Sequence, residues 1–207
     1  MQLFVPFAGQ RPKTRLSEVL TAEERQEFSR AMLADVLEVL ERARSGNPDI
    51  PAPTVLSTAP LDVDVPVVVD ERPLQEAVNA RLETAPTAVV MADLALATPE
   101  ALVRLFSTPG DLVIAAGLGG GTNAFLARDS AFHVDYHGAS YLDHLAIARE
   151  EGLSVGEVDS HRLAVDVDEP GDLTELFLHG EGASRDWLGD AGFELETTDG
   201  RVEVSRE

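Results

Sequence analysis

The chain of 207 residues contains no cysteine. This absence excludes disulfide bonds, a thiol nucleophile and every zinc site that needs sulfur, so any metal ion must be held by oxygen or imidazole ligands. The chain also has no apolar run of the about eighteen residues that a membrane helix needs. Near the N-terminus, the basic residues follow the apolar stretch instead of preceding it, unlike a secretory signal. We therefore expect a cytoplasmic protein without a membrane segment.

Lysine is almost missing as well, because fifteen of the sixteen basic residues are arginine and Lys13 stands alone. Acidic residues number 37, which gives a formal net charge of −21. Such a charge opposes binding to nucleic acid and to anionic lipid. An acidic, lysine-poor composition resembles the proteins of salt-loving archaea, where molar salt shortens the Debye length to about 3 Å. We expect a halophilic protein in a salt-rich cytoplasm.

Two windows of the chain lack acidic residues. Residues 1–17 carry Arg11, Lys13 and Arg15, and residues 112–128 contain the glycine run 119–121. Clustered cations and a glycine loop in so acidic a chain indicate binding sites for anions. The alternative is that both windows are buried strands and tight turns, from which charge is excluded anyway.

Apolar strands alternate with amphipathic helices along the chain, which predicts an α/β fold with an open, mainly parallel sheet flanked by helices. A capping box at Thr21 and Glu24 begins the first helix, and Thr98 before a proline begins another. We predict one domain over 1–207, in which 183–207 form a C-terminal extension with a β-hairpin around Asp199 and Gly200. The predicted strands are 3–7, 54–57, 66–69, 87–91, 112–116 and 163–167, and the predicted helices are 21–44, 74–82, 139–151 and 170–178, with a further helix after Thr98.

Ligands of open α/β sheets bind at the carboxyl ends of the strands, and the unusual residues of this chain follow strands. Lys13 and Arg15 come after the first strand and Asp93 after the fourth. Asp166 and Asp168 lie two apart on a predicted strand, so both should point the same way. Together with Asp93 they offer the oxygen ligands that Mg²⁺ prefers. For Asp168 alone, a helix cap is an equal alternative, whereas Asp93 in an apolar run favours a ligand.

Five segments together resemble one family, the 2-phospho-L-lactate guanylyltransferases of coenzyme F-420 biosynthesis. The resemblance covers residues 3 to about 178, and the segments are Val5-Pro6-Phe7, Pro12-Lys13-Thr14-Arg15-Leu16-Ser17, Ala92-Asp93-Leu94, Gly119-Gly120-Gly121-Thr122-Asn123 and Asp166-Val167-Asp168-Glu169-Pro170-Gly171-Asp172-Leu173. It implies a single-domain nucleotidyltransferase fold related to the Rossmann fold. It also implies the reaction, in which the phosphate of 2-phospholactate, or of phosphoenolpyruvate, attacks the α-phosphorus of GTP and expels pyrophosphate.

The resemblance further implies the roles of individual residues. Lys13 and Arg15 would hold the GTP triphosphate, with Asn79 as a candidate contact to the nucleoside, and Lys13 would be catalytic together with Asp93 and Asp168. Asp93, Asp166 and Asp168 would bind Mg²⁺, and the relatives suggest a homodimer. The residues implied to bind the acceptor are Gly120, Gly121, Thr122, Gly138 and Ser140. Two departures from the family pattern are Ala139, where a glycine is usual, and Gln75, where an asparagine is common.

Two other functions remain open on the sequence alone. One is a sugar-phosphate or molybdopterin-type nucleotidyltransferase, although these usually carry a Gly-x-Gly-x-Arg loop after the first strand, and the other is a nucleotide-binding regulator without turnover. Within the favoured family, the acceptor could be 2-phospholactate, phosphoenolpyruvate or 3-phosphoglycerate. His133, His137 and His144 match no metalloprotease spacing, and we interpret them as structural or surface residues.

Overall fold

In a computed structural model that describes residues 1–9, 12–198 and 200–206, the chain forms a central sheet with helices on both faces. The sheet strands are β1 (Gln2–Phe7), β2 (Pro53–Ser57), β3 (Val67–Val69), β4 (Thr87–Val90), β5 (Leu112–Ala116), β6 (Thr122–Ala127) and β7 (Val155–Glu157). The helices are α1 (Ala22–Gly46), α2 (Leu74–Leu82), α3 (Pro99–Ser107), α4 (Ser140–Glu150), α5 (His161–Ala164), α6 (Pro170–His179) and α7 (Ala183–Asp190), and a 3₁₀ helix covers Thr14–Glu18.

The sheet has the order β3-β2-β1-β4-β6-β5-β7, and β6 runs antiparallel to both of its neighbours. The other neighbouring strands in this sheet are parallel. The prediction of an α/β fold with a mainly parallel sheet is confirmed. As the strands pass through the core, successive side chains point to opposite faces, so Leu3 and Val5 pack with α1 and α3 while Phe4 packs with α2.

The helix starts predicted from capping residues are confirmed. Thr21 and Glu24 form a reciprocal capping box, in which the Glu24 N–H donates to the Thr21 hydroxyl at 3.2 Å and the Thr21 N–H donates to the Glu24 carboxylate at 2.8 Å. The Thr98 hydroxyl accepts from the Ala101 N–H at 3.3 Å, with Pro99 as the first residue of α3. In both helices the side-chain oxygen satisfies an amide that has no partner within the helix.

The predicted strand over 163–167 is wrong. Leu163 belongs to the short helix α5, and the segment after it is irregular, with the Val167 N–H donating to the Asp93 carbonyl at 3.1 Å. A short apolar run has no periodicity that separates a strand from a buried helical turn. Asp166 and Asp168 therefore do not lie on a strand, and strand geometry does not explain why both are near the site.

Besides α5 and the 3₁₀ helix at Thr14–Glu18, three further elements were not predicted. The strand β6 directly follows the glycine run, so the glycine segment is the turn of a β5–β6 hairpin instead of a strand-to-helix loop. The short strand β7 pairs with β5, and α7 precedes the C-terminal hairpin. The buried carboxylate of Asp35 in α1 caps the N-terminus of α7. It accepts hydrogen bonds from the amides of Ala183 and Ser184 at 2.6 and 2.9 Å.

The predicted hairpin of 193–204 is confirmed as β8 (Phe193–Thr198) and β9 (Arg201–Arg206). Gly200 lies in its turn with φ +78°, whereas Asp199, like the cation Arg11, lies outside the described residues. Phe193 packs into an apolar cluster with side chains of α6 and α7. On β9, the Arg206 guanidinium donates to the Glu24 carboxylate at 2.6 Å. No helix within 1–9, 12–198 and 200–206 is both long and apolar enough to cross a membrane.

His144 of α4 is fully buried and joins three segments. Its Nε2 accepts from the Asp135 N–H at 3.0 Å, so its Nδ1 carries the proton and donates to the Thr122 hydroxyl at 2.8 Å. Burial lowers the pKa of His144 from 6.5 to about 4. Between pH 6.5 and about 4, His144 is therefore neutral in the folded protein but protonated in the unfolded chain.

We predict that acid weakens the fold through this one histidine. As the pH falls from 7 to 4, the unfolded chain takes up a proton before the folded chain does, and the free energy of unfolding should fall by as much as about 3 kcal/mol. Denaturant unfolding in molar KCl at several pH values measures the loss. His144→Gln should be less stable at pH 7 and should show a shallower pH dependence than the parent. The control His161→Gln, at an exposed position on α5, should keep the parent slope, and equal slopes in all three proteins would refute the prediction.

Candidate functional site

Lys13 lies at the centre of the carboxyl edge of the sheet, directly before the 3₁₀ helix that follows β1. Its φ of 53° and ψ of 47° make it the one non-glycine residue with positive φ among those that the structure describes. For a side chain with a Cβ, this conformation costs roughly 1–3 kcal/mol. A strained backbone that the surrounding structure maintains is typical of a functional position.

The Lys13 ammonium is held between two carboxylates. Nζ donates to Asp93 Oδ2 at 2.6 Å and to Asp168 Oδ1 at 3.3 Å, and the side chain is only 10% exposed. Burial by itself would lower the pKa of Lys13, but the charges and hydrogen bonds of Asp93 and Asp168 outweigh burial and raise the pKa above its ordinary value. The side chain is therefore a fixed cation at any pH at which the protein works.

Asp93 follows β4, and one of its two carboxylate oxygens has no hydrogen-bond partner among the described residues. Oδ2 accepts from Lys13, while Oδ1 is buried and has no hydrogen-bond partner among the described residues. Leaving a buried carboxylate oxygen unpaired costs free energy that a ligand would recover. This atom marks a position for a cation or a donor group.

Asp166 completes a pair of like charges with Asp93. Burial and the charge of Asp93 raise the pKa of Asp166, and one of its oxygens accepts from Asn123 Nδ2 at 3.1 Å. Asn123 Nδ2 also contacts the carbonyls of Leu163 and Ala164, so the amide fixes the backbone that leads into Asp166. Two carboxylates that repel each other provide the charge that a divalent cation neutralises.

Asp168 is an ion-pair partner and does not cap helix α6. Its second oxygen accepts from Arg15 at 2.8 Å, and Arg15 is 66% exposed at the mouth of the site. The start of α6 is satisfied by Asp172, whose carboxylate accepts from the amides of Asp168 and Glu169 at 3.0 and 2.7 Å. The helix-cap alternative for Asp168 is therefore wrong.

The three predicted metal ligands come to one region but do not form a single cluster. Within the described ranges, no three histidine, aspartate or glutamate side chains are grouped closely enough to hold one ion. The Lys13 ammonium lies between Asp93 and Asp168 and takes the place that an ion shared by those two would need. Asp93 and Asp166 fit an ion better, because Mg²⁺ is usually bound by one or two carboxylates together with substrate phosphates.

The glycine loop is a tight turn tied to the start of α4. The Gly117 N–H donates to Gly121 at 2.8 Å, and the Tyr141 N–H donates to Gly120, which has φ +81°. Asn123 Oδ1 packs against Gly117 so closely that an added Cβ would lie 2.6 Å away. The loop thus leads into the residue that contacts Asp166.

The residues predicted to bind the acceptor are neighbours, but two of them have their polar atoms engaged within the fold. The buried Ser140 hydroxyl accepts from the Thr122 N–H at 3.1 Å, and the Thr122 hydroxyl pairs with His144. Gly138, with φ +60°, is exposed two residues before Ser140. The backbone amides of Gly120 and Thr122 are engaged as well, whereas the amides of Gly121 and Gly138 donate to no group among the described residues.

Asn79, predicted to contact GTP, makes a structural link in this structure. Its Nδ2 donates to the Val134 carbonyl at 3.1 Å, and its Oδ1 accepts from the Val134 N–H at 2.8 Å. The amide thereby joins α2 to the segment before α4, and Asn79 is absent from the lining of the cleft described next.

A cleft of about 320 Å³ extends from the Lys13 site along the carboxyl ends of β4, β1, β2 and β3. Its apolar walls include Phe7, Leu56 and Leu74, and the buried Ser29 hydroxyl in its lining has no hydrogen-bond partner among the described residues. Beyond β3 the lining contains Asp70 and Arg72. Neither residue was predicted from the sequence, although Asp70 comes after a strand, as Asp93 does.

The architecture is that of the nucleotidyltransferases. A nucleotidyl transferase from Methanothermobacter superposes with a TM-score of 0.59 at 14% identity, over 91% of this chain and 98% of that one. A crystal structure from Desulfovibrio desulfuricans G20, ascribed to a nucleotide-diphospho-sugar transferase, gives a TM-score of 0.68 at 16% identity, over 92% and 95% of the two chains. At these identities the likeness shows the fold alone.

The family is shown by the sequence. The family model described as Guanylyl transferase CofC like matches residues 1–207, and the chain belongs to this family. A relative from Halomicrobium mukohataei, named 2-phospho-L-lactate guanylyltransferase, is 55% identical over the full length of both chains. The family resemblance predicted from the five motifs is confirmed.

We predict that the lone lysine cannot be replaced by arginine. The pocket between Asp93 and Asp168 fits a compact ammonium, and a planar guanidinium would push the two carboxylates apart. Lys13→Arg should fold normally but lower kcat/KM for the nucleotide about tenfold to a hundredfold, as expected for the loss of a charge-assisted hydrogen bond. Steady-state kinetics and thermal unfolding measure the two effects.

Arg44→Lys is the matched control, because Arg44 is a partly exposed arginine on α1 that pairs with Glu41 and lies outside the candidate site. This variant should change kcat/KM by no more than a few fold. Unchanged kinetics in Lys13→Arg would mean that the single lysine is a chance survivor in an arginine-rich chain.

Proposed function

We propose that this protein transfers GMP from GTP to the phosphate of (2S)-2-phospholactate and releases pyrophosphate, a step of coenzyme F-420 biosynthesis. Membership of the guanylyl transferase family supports the reaction type, and the name of its 55%-identical relative supports the acceptor. The structural observation that carries the proposal is the fixed Lys13 ammonium beside the unpartnered Asp93 oxygen, at the edge of the sheet where α/β folds bind ligands.

The chemistry needs positioning and neutralisation of charge more than a nucleophilic side chain. An oxygen of the acceptor phosphate attacks the α-phosphorus of GTP, a new P–O–P link forms, and the bond to the β-phosphate oxygen breaks. Lys13 and Arg15 donate to the triphosphate and stabilise the negative charge that develops on the departing pyrophosphate. In the nucleotide complex these two cations exchange part of their contact with Asp168 for phosphate oxygens.

Mg²⁺ is the cofactor that we propose for the Asp93 and Asp166 pair. When bound, the ion would neutralise phosphate charge and align the reacting groups. Asp168 would hold Lys13 and Arg15 in place. The acceptor's phosphate and carboxylate would lie at the glycine turn (Gly120, Gly121 and Thr122) and at the start of α4 (Gly138 and Ser140). The N–H groups of Gly120 and Thr122 already donate to Gly117 and Ser140, so the N–H groups of Gly121 and Gly138 are the donors proposed for the acceptor.

The other functions considered from the sequence have less support. A family match over the whole chain does not favour a sugar-phosphate or molybdopterin-type enzyme, and a regulator without turnover would not need Lys13 strained between two carboxylates. Nucleoside contact by Asn79, the salt-rich cytoplasm and the homodimer remain predictions.

We predict that the purified protein in molar KCl releases pyrophosphate from GTP and Mg²⁺ only when a phospho-acid is added. Parallel assays with (2S)-2-phospholactate, phosphoenolpyruvate and 3-phosphoglycerate should rank 2-phospholactate first by kcat/KM. Mass spectrometry of the product should show the GMP moiety joined to the acceptor phosphate. Turnover with a sugar 1-phosphate and none with the three phospho-acids would assign the rival activity instead.

We predict that Asp93→Asn reduces turnover roughly a thousandfold, about 4 kcal/mol of transition-state stabilisation, because it removes a ligand charge while keeping the shape of the side chain. It should also weaken Mn²⁺ binding, measured by electron paramagnetic resonance without substrate. Asp190→Asn, which removes an exposed carboxylate at the end of α7, is the matched control and should alter neither quantity. Normal Mn²⁺ binding in Asp93→Asn would exclude Asp93 as a ligand.

A further inference from the structure

A second group of charges lies at the far end of the cleft, beyond the edge strand β3. Arg72 donates through Nε to Asp70 Oδ1 at 2.8 Å and through Nη2 to Asp70 Oδ2 at 2.6 Å. Arg81 of α2 donates to the same Oδ2 at 3.0 Å, and its guanidinium lies 5.9 Å from the centre of the Phe4 ring. One carboxylate thus holds two guanidinium groups in place.

Both carboxylate oxygens of Asp70 are occupied by hydrogen bonds within the protein. Its side chain is 8% exposed, and its two oxygens accept four hydrogen bonds, three from Arg72, including its backbone N–H, and one from Arg81. These contacts hold the pKa of Asp70 well below its ordinary value. Asp70 therefore serves to fix its partners, and any contact with a ligand must come from the arginines.

Arg72 keeps donors that Asp70 does not use. A guanidinium has five N–H groups, and the bidentate pair with Asp70 occupies the edge formed by Nε and Nη2. The edge formed by Nη1 and the second N–H of Nη2 remains. Because the Arg72 side chain is 46% exposed and lines the cleft, this edge is a fixed fork of two parallel donors available to a ligand.

The position of Arg72 matches one end of a bound nucleotide. The strand order β3-β2-β1-β4 places Arg72 and the Asp93 site three strand spacings apart, about 14 Å. This separation is similar to the reach from the base to the phosphates of an extended nucleotide. Between the two ends, Phe7, Leu56 and Leu74 provide apolar walls suited to a flat ring.

We propose that Arg72, fixed by Asp70, selects guanine by donating two hydrogen bonds to O6 and N7 of the base. This assignment rests on the proposed use of GTP. A pair of acceptors side by side is what guanine presents on this edge, and Arg bound to O6 and N7 is the commonest specific contact to guanine in DNA complexes. Adenine presents an amino group in place of O6, so a donor would face a donor, and ATP would be rejected.

The test compares binding of four nucleotides to the full-length protein and to Arg72→Gln by calorimetry in molar KCl. GTP and ITP carry both O6 and N7, 7-deaza-GTP lacks N7, and ATP lacks O6. In the parent protein we expect GTP and ITP to bind at least tenfold more tightly than 7-deaza-GTP and ATP. Arg72→Gln should lose about tenfold to a hundredfold in affinity for GTP and ITP. It should lose less for 7-deaza-GTP, which keeps O6, and none for ATP, because a glutamine amide pairs with N6 and N7 of adenine.

Two further variants separate recognition from folding. Arg72→Lys keeps the ion pair with Asp70 and should retain the thermal stability of the parent. Because an ammonium can also donate to O6 and N7 but lacks the fixed fork, this variant should keep part of the preference for GTP that Arg72→Gln loses. Arg44→Gln removes an arginine of similar exposure that pairs with Glu41 at 3.0 Å on α1, and it should bind all four nucleotides like the parent.

A different pattern of binding would overturn the assignment. Equal weakening of GTP and ATP in Arg72→Gln would show that Arg72 contacts phosphate, and unchanged affinity for all four would show that it contacts no nucleotide. No binding of GTP by the parent would overturn both the assignment and the proposed function. Selective GTP binding without transfer to any phospho-acid would overturn the proposed reaction alone.

Discussion

The ammonium of Lys13 between Asp93 and Asp168 is the contact on which the rest of the site depends. It joins the loop after β1 to the loop after β4 and to the segment before α6, three parts of the chain that are distant in sequence. Without a cation at this point, the two partly buried carboxylates would repel each other, and this repulsion would oppose the Val167 hydrogen bond and the apolar contacts of Leu16 and Leu96 that also join the segments. The strained backbone of Lys13 is tolerated because these carboxylates fix its side chain.

Much of this arrangement could be predicted from the sequence, because local rules decide it. Thr21 with Glu24 and Thr98 with Pro99 begin their helices through short-range hydrogen bonds and fixed backbone angles, and the positions of Lys13 and Asp93 follow from the strands before them. The motifs then identified the family. Each of these features is determined by residues that are close together in the sequence.

The rest depended on contacts between distant segments. Nothing local to residues 163–167 distinguishes the short helix α5 from a strand, and nothing near Thr122 shows that β6 enters the sheet between β4 and β5. Asp70 follows a predicted strand as Asp93 does, but only the structure shows that its two oxygens hold Arg72 and Arg81. Likewise the role of Asp172 in capping α6 decides what Asp168 is free to do.

The reversed strand β6 also affects the order in which the sheet can assemble. The hairpin of β5 and β6 closes across a turn of only a few residues, whereas the parallel pair of β1 and β2 must bring together segments separated by the whole of α1. The entropy of closing a loop rises with its length, so a local hairpin forms at little cost and ahead of the long crossovers. We expect this hairpin to present β6 as a template on which β4, and then the rest of the parallel strands, add in turn. The glycine turn beside the proposed acceptor site would then be among the first parts of the chain to reach its final shape.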